Sequence, residues 1–173
     1  MDNINYLQLL FYLLPAIVVG FLAFYFISSY FKEQEQKRMY SIRAKNRKHT
    51  LPLRFQALER LTLFLERIDP GSLLLRVKPY NDNKNDYENL LVQNIEKEYE
   101  HNIAQQIYVS NECWNAIRAT KNATIALIRK ASMHQHVSTS DKLREEIISE
   151  LMDKASPSQT GLAFVRREAS DIW

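Results

Sequence analysis

The sequence predicts an all-α protein: one N-terminal transmembrane helix followed by a small helical-bundle domain on the cytoplasmic side. Three observations lead there. Residues Asn3–Phe31 are 29 positions without a charged side chain. Beyond them, apolar residues return at steps of three and four, and no segment alternates convincingly with period two. Three Gly and five Pro in 173 residues are too few for a turn-dense β-sandwich or a phosphate-cradling loop. A single Cys excludes an intramolecular disulfide framework and a Cys-based zinc cluster.

The first element is Leu7–Phe31, almost unbroken in apolar character. As a helix, 25 residues span about 38 Å, enough to cross a hydrocarbon core of about 30 Å with some tilt. A signal peptide would want a basic start and a shorter apolar run, and neither is present. Residues 32–48 then carry seven basic side chains against Glu33 and Glu35, for a net +5. The positive-inside rule therefore places residues 32 onward in the cytoplasm and the N-terminal tail outside. Phe24, Tyr25, Phe26, Tyr30 and Phe31 cluster at that same end, where aromatic rings favour the headgroup layer. Ala16, Gly20 and Ala23 form a small-residue stripe that permits a second helix to approach.

The next region, residues 32–49, reads as a basic juxtamembrane helix or linker, with Lys37, Arg38, Arg43, Lys45, Arg47 and Lys48 meeting anionic headgroups. Residues 49–173 balance 16 Lys+Arg against 17 Asp+Glu, so the pI of 8.9 is a local property of one segment. No nucleic-acid partner is expected from so neutral a body, and no aromatic platform accompanies the basic patch.

The cytoplasmic domain, residues 50–173, is expected to hold five helical segments in a small bundle. Thr50 and Pro52 offer a cap and a first-turn proline for a new helix whose inner face is Ala57, Leu58, Leu61, Phe64, Leu65 and Ile68. The turn signals Asp69-Pro70-Gly71-Ser72 stop it, and LLLRV follows as a short helix. Asp86 is the expected cap of a helix of about twenty residues by apolar period, with Tyr87, Leu91, Ile95, Tyr99, Ile103 and Ile107 inward. Ser110 caps the next, whose inner face carries Trp114, Ile117, Ala123 or Thr124, Ile125 and Ile128. Thr139 or Ser140 caps another, with Leu143, Ile147, Leu151 and Met152 inward. Ser156-Pro157 opens the last, through Leu162, Val165 and Ala169.

The wording LPLRFQALERLTLFLERIDP…LLLRV, with EYEHNIAQQIYVSNECW, resembles a family of uncharacterised bacterial single-pass membrane proteins with an N-terminal anchor and a helical cytoplasmic domain. The resemblance covers most of residues 5–130 and is densest at 51–68 and 100–114. It implies topology and architecture, at a bacterial inner membrane. It brings no catalytic residue and no ligand.

The residues offer little chemistry. His134 and His136 are the most metal-like feature, but two imidazoles fall short of the three or four ligands that zinc requires. No metal and no cofactor are therefore expected. Cys113 reads as a small buried hydrophobe, and Glu96, Glu98, Glu100 and His101 as a solvated helix face. No nucleotide, metalloprotease or hydrolase motif is present, and no small-molecule substrate is evident.

The expected function is a membrane-anchored, non-enzymatic interaction module, a scaffold or accessory subunit. Its partners would be the lipid bilayer and a membrane protein or a second copy of the chain. Tyr99, Gln105, Gln106 and Tyr108 are the expected partner surface, because amphipathic rings beside amides suit a half-desolvated contact. Two alternatives are a membrane-tethered enzyme or metal-dependent regulator using His134 and His136, and a nucleic-acid or ribosome tether working through the basic segment.

Overall fold

Helix α1 spans Tyr6–Ile68 in the computed structural model, and five further α-helices follow: α2 (Pro70–Arg76), α3 (Lys84–Asn102), α4 (Asn111–Met133), α5 (Ser140–Asp153) and α6 (Pro157–Ser170). A 3-10 segment, Ile103–Tyr108, lies between α3 and α4. The structure describes the backbone of residues 6–172; within α1 it describes the side chains of residues 15, 17–29, 31, 34 and 48–68, and beyond α1 all except that of residue 153. Among the described residues the protein is all-α, with no strand and only an isolated bridge between Asn83 and Thr139.

The chain forms two units, Met1–His49 and Thr50–Trp173, and α1 contributes to both. Thr50 and Pro52 mark this division but do not start a helix: the helical backbone runs through them. A proline in a helix interior removes one backbone hydrogen bond and crowds the preceding turn. Here the surrounding helix on both sides outweighs that local preference.

In the first unit the described apolar side chains between Ile17 and Phe31 stand exposed on every face of α1, among them Phe21, Phe24, Phe26 and Phe31. Among the described residues no helix is long and apolar enough to cross a membrane. The side chains of residues 7–14 and 16, the early part of the expected span, lie outside those described, as do the anionic-lipid candidates Lys37, Arg38, Arg43, Lys45 and Arg47.

The second unit has a closed core. Ala57, Leu58, Leu61, Phe64, Leu65 and Ile68 of α1 are all buried, as their spacing predicts. Against them pack Leu73 and Leu74 of α2, Tyr87, Leu91 and Ile95 of α3, Trp114, Ile117, Ile125 and Ile128 of α4, Leu143 and Ile147 of α5, and Leu162 and Val165 of α6. Helix α4 sits among α3, α5 and α6. At Gly161 helix α6 comes close to its neighbours: a Cβ there would stand 2.7 Å from Thr120 Oγ1 and 2.9 Å from Leu65 Cδ2. Only a residue without a side chain permits that approach.

Caps set the element boundaries. Asp69 caps α2, accepting from the Gly71 N–H, and also accepts a hydrogen bond from the Ser156 hydroxyl, itself the cap of α6. Ser110 and Thr139 cap α4 and α5. Helix α3 is capped by Asn83, three residues ahead of the expected Asp86. The Asn83 side-chain oxygen Oδ1 accepts from the Asn85 N–H, while Asp86 instead accepts from the Asn81 side chain. Met152, expected inward, is 84% exposed, because α5 leaves the core in its last turn.

Candidate functional site

The expected inward face of α3 is correct as far as Ile95 and half-correct at Tyr99. The helix then ends at Asn102 and the backbone tightens to the 3-10 form. Four residues turn through about 400° in an α-helix but about 480° in a 3-10 helix, so the apolar face swings off the core. Ile103 and Ile107 are consequently exposed, at 46% and 74%, and no residue of the 3-10 segment is buried.

The four residues expected to form a partner surface divide on the same boundary. Tyr99 is corrected to the edge of the core: its ring stacks on Trp114 at 5.6 Å between centroids and lies 6.1 Å from Phe64. Lys121 Nζ stands 4.6 Å from the centre of the same ring and pairs with Glu96 at 2.8 Å, and Tyr99 is half-buried. Gln105 and Tyr108 are half-buried, and Gln106 is exposed. Ile107 belongs with them, and the period that assigned it to the core could not show the change of helix type.

A polar cluster fixes the end of this segment. Arg54 Nε donates to the Tyr108 carbonyl oxygen at 3.1 Å, and its Nη2 pairs with Glu168 Oε1 at 2.8 Å. Glu168 also accepts from the Ser110 N–H at 3.0 Å and from the Ser110 hydroxyl at 2.5 Å. Helices α1 and α6 thus hold residues 108–110 through charge-assisted hydrogen bonds. Neither Arg54 nor Glu168 stands out in sequence, since each pairs with a residue far along the chain.

The remaining chemistry-bearing side chains are placed as follows. Lys48 is exposed. Cys113 is buried, and burial, reinforced by Glu168 and Glu112, pushes its thiol up to about 11. It is held as a neutral thiol, far from the range of a nucleophilic thiolate. Glu98 pairs with Arg67 at 2.8 Å and Arg76 at 3.6 Å, so Glu96 and Glu98 tie helices together rather than forming a solvated row. A groove of about 500 Å³ between α4 and α6 is lined by Ala116, Ala119, Thr120, Ala123, Thr160 and Phe164, with Glu112 and Asn115 at its side. It holds no nucleophile next to a base among the described residues.

His134 and His136 occupy the turn between α4 and α5, and the structure brings Glu146 of α5 to both. His134 Nδ1 lies 2.9 Å from Glu146 Oε1, and His136 Nε2 lies 2.8 Å from Oε2. Glu146, ten residues beyond His136, carries no mark in the sequence that separates it from Glu145.

None of the curated proteins and none of the solved structures matches the chain. A family model does match, over residues 4–172, which takes in α1 and the whole bundle. The protein therefore belongs to DUF7935, a family of unknown function.

Proposed function

We propose that the protein is a membrane-anchored, non-enzymatic interaction module that holds a partner at the cytoplasmic face of a bacterial inner membrane. The observation that carries this reading is the exposure of large apolar side chains around all of α1 from Ile17 to Phe31, within an uncharged stretch that begins at Asn3. A helix apolar on every face requires an apolar surrounding. The one-sided basic flank, residues 32–48, gives the anchor its direction, with the N-terminus outside and residues 50–173 in the cytoplasm.

The partner surface is the 3-10 segment and its neighbours, Ile103, Gln105, Gln106, Ile107 and Tyr108. It presents apolar side chains on an element clamped by Arg54 and Glu168, so contact there requires little further ordering. The other occupant of such a surface is a second copy of the chain.

The test is fractionation and protease protection of the full chain, tagged at its C-terminus, in a bacterial host. The tag is expected in the carbonate-resistant membrane fraction and intact when protease is added to spheroplasts. Recovery in the soluble fraction overturns the anchor, and digestion of the tag overturns the orientation. For the partner surface, Ile107→Ser is expected to lower the yield of cross-linked partner from intact membranes while leaving the helical circular dichroism unchanged. An unchanged yield places the contact elsewhere.

A further inference from the structure

We propose that His134, His136 and Glu146 form a binding site for a divalent transition metal of the zinc class. This goes beyond the interaction-module reading and is independent of it. The expectation that no metal binds rested on a ligand count of two, and the fold supplies a third donor from a different helix. One ring nitrogen of each histidine and a Glu146 carboxylate oxygen all lie within 4.8 Å of one another. Two imidazole nitrogens and one carboxylate oxygen are the donor set that zinc and its neighbours favour.

The separations suit an ion. Bonds of about 2.0–2.2 Å in a tetrahedral site set the donors about 3.4 Å apart. The 2.9 and 2.8 Å contacts run to different oxygens of Glu146, and the three donors lie within 4.8 Å of one another, so admitting a cation asks the short pairs to open and the widest to draw in, by side-chain rotation alone. The two rings meet edge to face, 76° between planes and 5.5 Å between centroids, and so approach the carboxylate from different directions. His136 is 66% exposed, His134 34% and Glu146 17%, which leaves the remaining coordination position open to water from the solvent side.

The turn that carries the histidines is built before any ion arrives. Lys84 Nζ donates to the carbonyl oxygens of Ser132 and Val137, at 2.9 and 2.8 Å, on either side of the two histidines. The Val137 N–H donates to the His134 carbonyl oxygen at 3.1 Å, and the Val137 side chain is buried. Ser140 donates from its N–H to the Asp82 carbonyl oxygen and from its hydroxyl to that of Asn81. Glu146 is set opposite by the buried Leu143 and Ile147 of its own helix. Holding ligands on packed elements removes most of the ordering cost that a loop site carries. Bound there, an ion would cross-link the end of α4 to α5.

The experiment is titration of the full, untagged chain in detergent with Co²⁺ and Zn²⁺, followed by calorimetry and by the visible spectrum of cobalt. A single ion per chain is expected, with cobalt absorption of the intensity typical of four- or five-coordinate sites and a rise in melting temperature that chelator reverses. His136→Ala and Glu146→Gln are each expected to weaken binding by more than about tenfold, since even lost outer-sphere partners cost a metal site 10–100-fold. His49→Ala with His101→Ala is expected to leave it unchanged. Circular dichroism of each variant separates lost ligation from lost fold, and His136, the most exposed of the three, is the substitution least coupled to packing. No saturable binding, or binding indifferent to both His136→Ala and Glu146→Gln in folded protein, overturns the site and leaves a hydrogen-bonded trio. Neither result bears on the membrane fractionation, so the two readings fail separately.

Discussion

Phenylalanine serves opposite purposes in the two units. Phe21, Phe24 and Phe26 are each more than two-thirds exposed, whereas Phe64, on the same helix α1, is 1% exposed in the core of the bundle. The difference lies in what surrounds each residue along the sequence. Around Phe64 the apolar side chains recur at helical period, with Glu59, Arg60, Glu66 and Arg67 between them, so one stripe faces inward and the rest faces water. Around Phe24 no charged side chain interrupts the helix, and no single stripe is defined. Pattern, more than composition, decides which apolar residues a fold can use for its own core.

The largest effects that separate the two regions fall on the bundle. Leu61→Ala removes a fully buried side chain and is expected to destabilise the second unit by about 2–5 kcal/mol in chemical denaturation. Phe24→Ala, by contrast, is expected to leave that transition in place and to lower membrane partitioning. Equal effects of the two substitutions on the denaturation midpoint would erase the distinction.

A smaller effect tests the close helix approach at Gly161. Gly161→Ala must displace both Thr120 Oγ1 and Leu65 Cδ2, and is expected to cost about 1–3 kcal/mol despite the better helix propensity of alanine. A variant more stable than the parent would mean that α6 has room to withdraw.

The smallest effect is electrostatic. Lys130 hydrogen-bonds Glu150 at 2.8 Å and, with Lys154, holds its carboxyl below the usual range. A depressed carboxyl contributes stability above its unfolded value, about 4.3, and that contribution disappears as pH falls through the folded value. Lys130→Met is therefore expected to lower the melting temperature slightly at neutral pH and not at all near pH 2. Because Lys130 is 57% exposed, high salt should remove the same difference. A difference that persists at low pH would point to lost packing of the lysine stem.

Much of the bundle was legible in the sequence because each helix carries its own evidence. The stripe from Ala57 to Ile68, the caps at Ser110, Thr139 and Ser156, and the turn at Asp69 are all local signals, and local physics decides them. What escaped is non-local. The change to 3-10 geometry after Asn102 turns Ile107 outward although its spacing fits the inward face. Arg54 with Glu168, Arg144 with Tyr87, and Glu146 with the two histidines are pairings across 114, 57 and about ten residues, and nothing at either end announces the other. Tyr87 illustrates the cost of that blindness: its spacing marks it as core, yet its hydroxyl also donates to the Val77 carbonyl and accepts from Arg144.

The contact at Gly161 also has a bearing on how the bundle is made. Helix α6 leaves the ribosome after the other five helices, and the residues it covers, Leu65 and Thr120, belong to α1 and α4. Until α6 emerges, the apolar surface that Leu162 and Val165 complete stays open to water. Closing it joins segments far apart in the chain, a step whose loop entropy makes it late rather than early. During synthesis the nascent bundle would therefore pass through a stage with a sticky seam along α1 and α4, the natural place for a chaperone to bind and for a truncated product to aggregate.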